Sequence, residues 1–392
     1  MSPVPEKTRK IHVLQVVGDP VGGIRKHIHS IVSGVDSVKF VQSYAHSITS
    51  VDAKFERDLV QLKQHLECVI PLSVKKRPGL RDLINLYILV KYVRAAKVDI
   101  IHGHGAKGGL YARTVGRICG VKSVYTPHGG VAHSMFSKAE EMLYTFVEKI
   151  LYGWTDCFVF ESNYTAQAFH KKIGCSSGCW MVNYNGVSTP DVGSALNQVA
   201  VPDNGLSLND ALHVGVFGLL RAQKGQEYAI RAVSQLKEKN KSICLHVYGD
   251  GPDREKLVSL SKSIGVSDRV IFHGDVTDVE MHMSRMDVIL VPSLFESFGY
   301  VAIEAMVLEK PVIVSSVGGL MEVVDNESGI FIQPGNVDAI TQALLFCLDH
   351  PEQIKVKALR GKKRAESEFS LDRMIERIST IYQNLILPAG VR

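Results

Sequence analysis

The stretch VPSLFESFGYVAIEAMVLEKPVIVSSVGG, residues 291–319, decides the reading of this 392-residue chain. DVILVPS (287–293) is apolar and β-branched, so it reads as a buried strand. LFESFG (294–299) is a turn. YVAIEAMVLEK (300–310) carries Val301, Ile303, Ala305, Met306 and Leu308 and reads as a helix with one buried face. Pro311 stops that helix, and PVIVSS (311–316) is the next buried strand. Glu296 therefore falls in a loop at the carboxyl end of a parallel strand, and Glu304 about one turn into the following helix. Open α/β sheets bind ligands in the crevice outside those strand ends. The helix amino terminus near Phe298 and Gly299 offers free N–H groups and a positive dipole end, which suits a diphosphate. A carboxylate at Glu304 can accept both hydrogen bonds of a ribose diol, and one at Glu296 can hold sugar hydroxyls. The plain alternative is a loop glutamate beside a solvated helix glutamate.

Working outward, Arg221 and Lys224 follow the strand HVGVFGLL (213–220) in GLLRAQKGQE (218–227). Cations between a strand end and a helix can clamp a departing diphosphate, whose charge grows as its bond breaks. No Asp-x-Asp triplet occurs, so a metal-bound diphosphate lacks its usual ligand set, and no metal is expected.

These residues resemble the donor-site signature of retaining GT-B glycosyltransferases of family 4. That pattern is Glu, seven residues, Glu, with Phe-Gly between and a Gly-Gly turn after the next strand. Glu296, Phe298, Gly299, Glu304, Gly318 and Gly319 supply it. Gly218, Arg221, Lys224 and Gly225 match the family's Gly-x-x-x-x-x-Lys-Gly turn. The resemblance implies a nucleoside-diphosphate sugar as donor and retention at the anomeric carbon. It further implies base contacts near Gly274 and Val276 in IFHGDV (271–276), and Glu296 against hydroxyl groups rather than as a covalent nucleophile.

The length allows two domains with full cores. Seven scattered cysteines suggest reduced thiols in a cytoplasmic setting, and the nearest pair, Cys175 and Cys179, lacks a second pair or histidines for a metal. No apolar run reaches the ~18 residues of a membrane span. Charge is uneven: residues 1–190 hold 24 Lys+Arg against 14 Asp+Glu, or +10, so the rest of the +5 chain carries −5. A basic amino half suggests an anionic surface or acceptor, and nothing points to nucleic acid. In VKKRPGLRDLINLYILVKYVRAAK (74–97), the stripe Leu83, Ile84, Leu86, Tyr87, Leu89, Val90 and Val93 reads as core-facing. The basic cluster Lys75–Arg81 is kept for peripheral contact with an anionic membrane.

Strands and helices alternate along the first half, restart after the Asn/Gly/Ser/Pro/Asp-rich stretch 183–210, and end in an amphipathic helix, SLDRMIERISTIYQNLI (370–386). The expected architecture is α/β of GT-B type, two Rossmann-like domains whose parallel sheets face an interdomain cleft. An acceptor domain spans 1–195 and a donor domain 205–370, and the family resemblance sends 371–392 back to the first domain.

In the amino half, Gly22 and Gly23 in GDPVGGIRKH (18–27) let a backbone approach a phosphate or acceptor closely. His128, at the strand end TPHGG (126–130), can donate a hydrogen bond to a sugar hydroxyl, and the family has a histidine in the matching place. His102, His104 and Lys107 in IIHGHGAKGG (100–109) are acceptor-side candidates. The same stretch holds Gly103-x-Gly105-x-x-Gly108, a dinucleotide fingerprint without the acidic residue that should end the next strand.

The reading reached is a retaining, metal-independent glycosyltransferase that needs no cofactor besides its nucleotide-sugar substrate. It moves a hexosyl-type sugar from a UDP- or GDP-linked donor to a glycan or lipid-linked acceptor. Its rivals are a nucleotide-sugar epimerase of similar fold and an NAD-dependent oxidoreductase.

Overall fold

The computed structural model describes residues 9–49, 51, 53–75, 77–129, 138–174, 178–189 and 211–387. The chain divides into two compact units, Met1–Tyr184 with Leu371–Arg392, and Asn185–Ser370. Each is an α/β unit around a parallel sheet, so the Rossmann-like fold class expected from the sequence is the observed one.

In the amino-terminal unit the strands are β1 (Ile11–Val17), β2 (Phe40–Ser47), β3 (Cys68–Leu72), β4 (Ile100–His104), β5 (Lys122–Thr126), β6 (Cys157–Phe160) and β7 (Trp180–Val182). Their order is β3-β2-β1-β4-β5-β6-β7, with every pair parallel. Chain order reverses between β1 and β4, which makes their carboxyl ends a topological switch point. Helix Leu371–Ile386 belongs to this unit: Met374, Ile375, Ile378, Ile381 and Tyr382 pack with Val13, Ile31 and Phe40 in one buried cluster.

One expectation about this unit needs correction, and one discounted motif finds its structural explanation. Helix Leu80–Ala95 buries only Asn85, Leu89 and Val93 fully, whereas Leu83, Ile84 and Tyr87 are 63%, 58% and 68% exposed. The apolar stripe is wider than the groove beneath it, so its amino-terminal part faces outward rather than into the core. Lys75, Arg77 and Arg81 are exposed as well, while Lys76 lies outside the described residues. The discounted motif is the dinucleotide fingerprint. A Cβ at Gly103 would collide with the Gly108 carbonyl, and one at Gly108 with the carbonyl of Val16. These glycines exist so that the helix Gly105–Cys119 can lie against β4 and β1, and Gly108 has no face left for a pyrophosphate.

The carboxyl-terminal unit holds β8 (Leu212–Phe217), β9 (Ile243–Tyr248), β10 (Val270–Gly274), β11 (Val288–Val291), β12 (Val312–Ser315) and β13 (Ile330–Ile332). Their order is β10-β9-β8-β11-β12-β13, again all parallel, with the reversal between β8 and β11. Central strands buried on both faces read as continuous apolar runs, which is why VILV and VIVS were legible. Most of the Asn/Gly/Ser/Pro/Asp-rich stretch, 190–210, lies outside the described residues. So does Cys175, while the Cys179 thiol sits 3.0 Å from that of Cys157.

Candidate functional site

Two constellations form at the two switch points. In the carboxyl-terminal unit, β8 ends at Phe217 and the chain turns through Gly218 (φ 127°). A short 3-10 turn, Ala222–Lys224, follows, with Arg221 exposed at its start. β11 ends at Val291 and runs into the loop that carries Glu296. The two loops touch: a Cβ at Gly225 would collide with the Pro292 carbonyl. That approach lets Lys224 Nζ donate to Glu296 Oε2 at 2.7 Å, with Ser293 Oγ donating to the same oxygen at 3.3 Å. Both charged side chains are partly exposed, so the pair is reachable from solvent.

Helix Tyr300–Val307 starts beside this pair, from Gly299 in a left-handed conformation at φ 116°. The Phe298 ring is buried among Tyr300 and Phe369, so what Phe298 offers a ligand is backbone. Glu304 is the fifth residue of the helix, half-buried between the buried Ile303 and Ala305. A Cβ at Gly319 would strike Ser297 and Phe298, so the Gly-Gly turn after β12 holds the Glu296 loop in place. Gly274 ends β10 with φ 70°, and its carbonyl accepts from Gly249 N at 2.7 Å; Val276 follows, partly exposed. Arg221, Lys224, Glu296, the helix terminus and Glu304 thus gather around the ends of β8, β11 and β12.

At the amino-terminal switch point a buried polar chain runs through eight residues. Glu161, just beyond β6, meets His128 Nδ1 at 2.9 Å. His128 Nε2 lies 3.2 Å from His104 Nδ1, and His104 Nε2 donates to Gln15 Oε1 at 2.8 Å. Gln15 in turn donates to Gln42 Oε1 at 3.0 Å and to the Tyr382 hydroxyl at 3.1 Å. Tyr382 bonds His102 Nδ1 at 2.7 Å, and His102 Nε2 bonds Thr126 Oγ1 at 2.8 Å. Burial, reinforced by the neighbouring histidines, pushes His102 and His104 well below the usual imidazole range, so both are neutral. With its Nε2 proton given to Gln15, neutral His104 has a bare Nδ1. That nitrogen can only accept, so a hydrogen bond between the two rings requires His128 Nε2 as its donor.

This geometry revises three expectations. His102 is fully buried with both ring nitrogens bonded, so it braces the helix Leu371–Ile386 against β4 rather than lining an acceptor surface. His104 is 1% exposed and likewise turned inward. Lys107 Nζ donates to Asp82 Oδ1 at 2.7 Å and so is tied to the helix Leu80–Ala95. His128 keeps a special place: at φ 52° it is one of four non-glycine residues in the left-handed region among the described residues, and such strain clusters at functional sites. Yet its ring meets Glu161 and His104, not open solvent, with its side chain 3% exposed. Gly22 and Gly23 are exposed at the start of the helix Gly22–Gly34.

Three residues escaped the sequence reading. Glu161 is the penultimate residue of the strand stretch TDCFVFES, adjacent in the sheet to the strand before His128, and a carboxylate at that place was the available signal. His27 sits five residues into the helix after the Gly22–Gly23 turn, its ring 4.9 Å from that of His128. Gln15 lies inside β1, and nothing in its neighbourhood marks it.

Residues 206–364 match the family model for glycosyl transferases group 1, and residues 21–190 match that for glycosyltransferase family 4. Among similar proteins is EpsD of Bacillus subtilis (strain 168), named as a glycosyltransferase, at 28% identity over 75% of this chain and 78% of that one. An Escherichia coli protein named UDP-Gal:alpha-D-GlcNAc-diphosphoundecaprenol alpha-1,3-galactosyltransferase is 24% identical over 81% of this chain and 84% of its own length. Among solved structures, Anabaena Alr3699/HepE in complex with UDP and glucose superposes with a TM-score of 0.78 at 22% identity, covering 95% of this chain and all of that one. The likeness to that structure is one of fold. No helix among the described residues is long and apolar enough to cross a membrane.

Proposed function

From the premise that the chain belongs to the group 1, family 4 glycosyltransferases of GT-B type, matched in both its units, we propose a retaining hexosyl transfer from a nucleoside-diphosphate sugar. The observation that carries the proposal is the meeting of Lys224 with Glu296 at 2.7 Å over the β8/β11 switch point. UDP is favoured over GDP as carrier, because the Anabaena structure and the Escherichia coli relative both bear uridine nucleotides in their names.

In this reading Arg221 and Lys224 meet the diphosphate, together with the N–H groups that open the helix Tyr300–Val307. They stabilise the charge that builds up as the glycosidic bond breaks, and that differential binding is what accelerates the reaction. Glu304 takes the ribose diol, and Glu296 takes hydroxyls of the sugar. The ion pair with Glu296 fixes Lys224 Nζ in place before the donor arrives, so little reorganisation is required on binding. The acceptor's hydroxyl proton passes to the leaving phosphate oxygen on the face from which the diphosphate departs, and the configuration is retained. No step calls on a divalent ion. His128 is assigned a hydrogen bond to a sugar hydroxyl, which must replace the one its Nε2 makes to His104.

The acceptor is proposed to be glycan or lipid-linked, with the amino-terminal unit in peripheral contact with an anionic membrane on the cytoplasmic side. The basic amino half and the exposed Leu83, Ile84 and Tyr87 support this. A panel of nucleotide sugars, incubated with and without candidate acceptors, tests the reaction class. Diphosphate release coupled to a new glycoside supports transfer. An isomerised donor formed without acceptor would identify an epimerase instead.

A further inference from the structure

We propose that His27, His104 and His128 form a binding site for a transition-metal ion of the Zn2+ type, and that filling it arrests transfer. The three side chains converge from separate elements: His104 closes β4, His128 follows β5, and His27 comes from the helix Gly22–Gly34. One ring nitrogen of each lies within 4.8 Å of the other two. His104 Nδ1 and His128 Nε2 are separated by 3.2 Å. Ring centres are 4.9 Å apart for His27 and His128, and 5.5 Å apart for His104 with either partner. Three imidazoles on a tetrahedral ion place their nitrogens about 3.3 Å apart and their ring centres about 5.2 Å apart. Small rotations about the side-chain bonds bring the observed trio to that geometry.

The second argument lies behind the rings. In histidine metal sites the far ring nitrogen is held by a carboxylate or a carbonyl, which fixes the ring and raises its basicity. Here Glu161 holds His128 Nδ1 at 2.9 Å, and the Gln15 side-chain carbonyl holds His104 Nε2 at 2.8 Å. Glu161 and Gln15 are both buried. The nitrogens left for an ion are therefore the ones that face each other. Another cluster, His213, Cys244 and His246, lacks this arrangement, since both His246 nitrogens are taken by His213 and His273.

Binding an ion takes the place of the contact between His128 Nε2 and His104 Nδ1. It leaves His128 Nε2 on the metal rather than on a sugar hydroxyl. The arrest of transfer rests on the proposed function; the metal site does not.

The test titrates metal-stripped full-length protein with Zn2+ by calorimetry and with Co2+ by visible absorption. One ion per chain is expected, with the intense bands of four-coordinate Co2+. His27→Asn should weaken binding about tenfold or more, and the isosteric Glu161→Gln by about 10–100-fold. His246→Asn should bind as the wild type does. Melting curves establish that each variant folds, and Glu161→Gln carries the test if His27→Asn does not. Absence of stoichiometric binding, or binding unchanged in both variants, overturns the site. Inhibition of transfer by Zn2+ that a chelator reverses supports the arrest, while tight binding with undiminished transfer overturns it.

Discussion

Lys224 and Glu296 come from loops that are 72 residues apart in sequence, yet they bond at 2.7 Å where the carboxyl-terminal sheet reverses its strand order. Opposite charges fixed at a switch point are poised for a ligand that carries both phosphates and hydroxyls. Lys224→Ala is expected to lower kcat by about 10²–10³, the usual cost of removing one donor from a developing anion. The donor KM should change far less, and a kcat within threefold of wild type would remove Lys224 from the chemistry.

Glu304→Ala tests the ribose contact. Losing hydrogen bonds to a charged group costs about 1.5–3 kcal/mol, or roughly 10–150-fold in affinity. Calorimetry with UDP should show that loss. An unchanged Kd would place the ribose elsewhere.

The helix Gly105–Cys119 is locked to the helix Lys138–Tyr152 by a bidentate pair, Arg113 to Glu148 at 2.7 and 2.9 Å, with the guanidinium 4.0 Å from the centre of the Tyr125 ring. Arg113 is fully buried. Glu148→Gln strands that charge, and stability should fall by about 3–5 kcal/mol. Denaturant titration reads this directly. A loss below about 1 kcal/mol would mean that water reaches Arg113.

Much of this was legible in the sequence, for identifiable reasons. The strands that flank the site are short apolar runs broken by Gly and Pro, and the two glutamates, the Phe-Gly turn and the Lys-Gly turn sit at their ends, so pattern and chemistry coincided. The buried network was hidden because its members are polar residues inside strands. β2 carries Gln42, Ser43, His46 and Ser47, all buried, so no hydropathy alternation announces it. Gln15 and His102 point into the interior only because Tyr382, far along the chain, comes back to meet them. The outward turn of Leu83, Ile84 and Tyr87 was invisible for a related reason: periodicity gives the width of an apolar face, not the width of what covers it.

That exposed face leads to a vesicle experiment. Binding to anionic vesicles should weaken as salt screens the Lys75–Arg81 cluster. Replacing Leu83, Ile84 and Tyr87 together by serine should weaken it about tenfold or more at fixed salt, since each buried apolar side chain contributes about 1.5–3 kcal/mol. Binding that ignores both salt and the substitutions would dismiss the membrane contact.

Acid stability follows from His246, which burial, aided by the charges of His273 and His213, lowers to about 4. The unfolded chain takes up a proton near the ordinary imidazole value of about 6.5, and the folded one does not until about 4. Stability contributed by this residue is therefore present above about 6.5 and is lost as pH falls through that window. Melting temperatures taken from pH 7.5 to 4.5 should decline, and His246→Gln should flatten the decline. An identical slope in the variant would assign the acid sensitivity to other groups.

The most direct test is a crystal structure of the chain with UDP. The diphosphate should accept hydrogen bonds from Lys224 Nζ and from the N–H groups that open the helix Tyr300–Val307, with Glu304 on the ribose and no divalent ion bridging the phosphates. A nucleotide bound away from the ends of β8 and β11, or one whose phosphates are held through a metal instead of Lys224, would contradict the account.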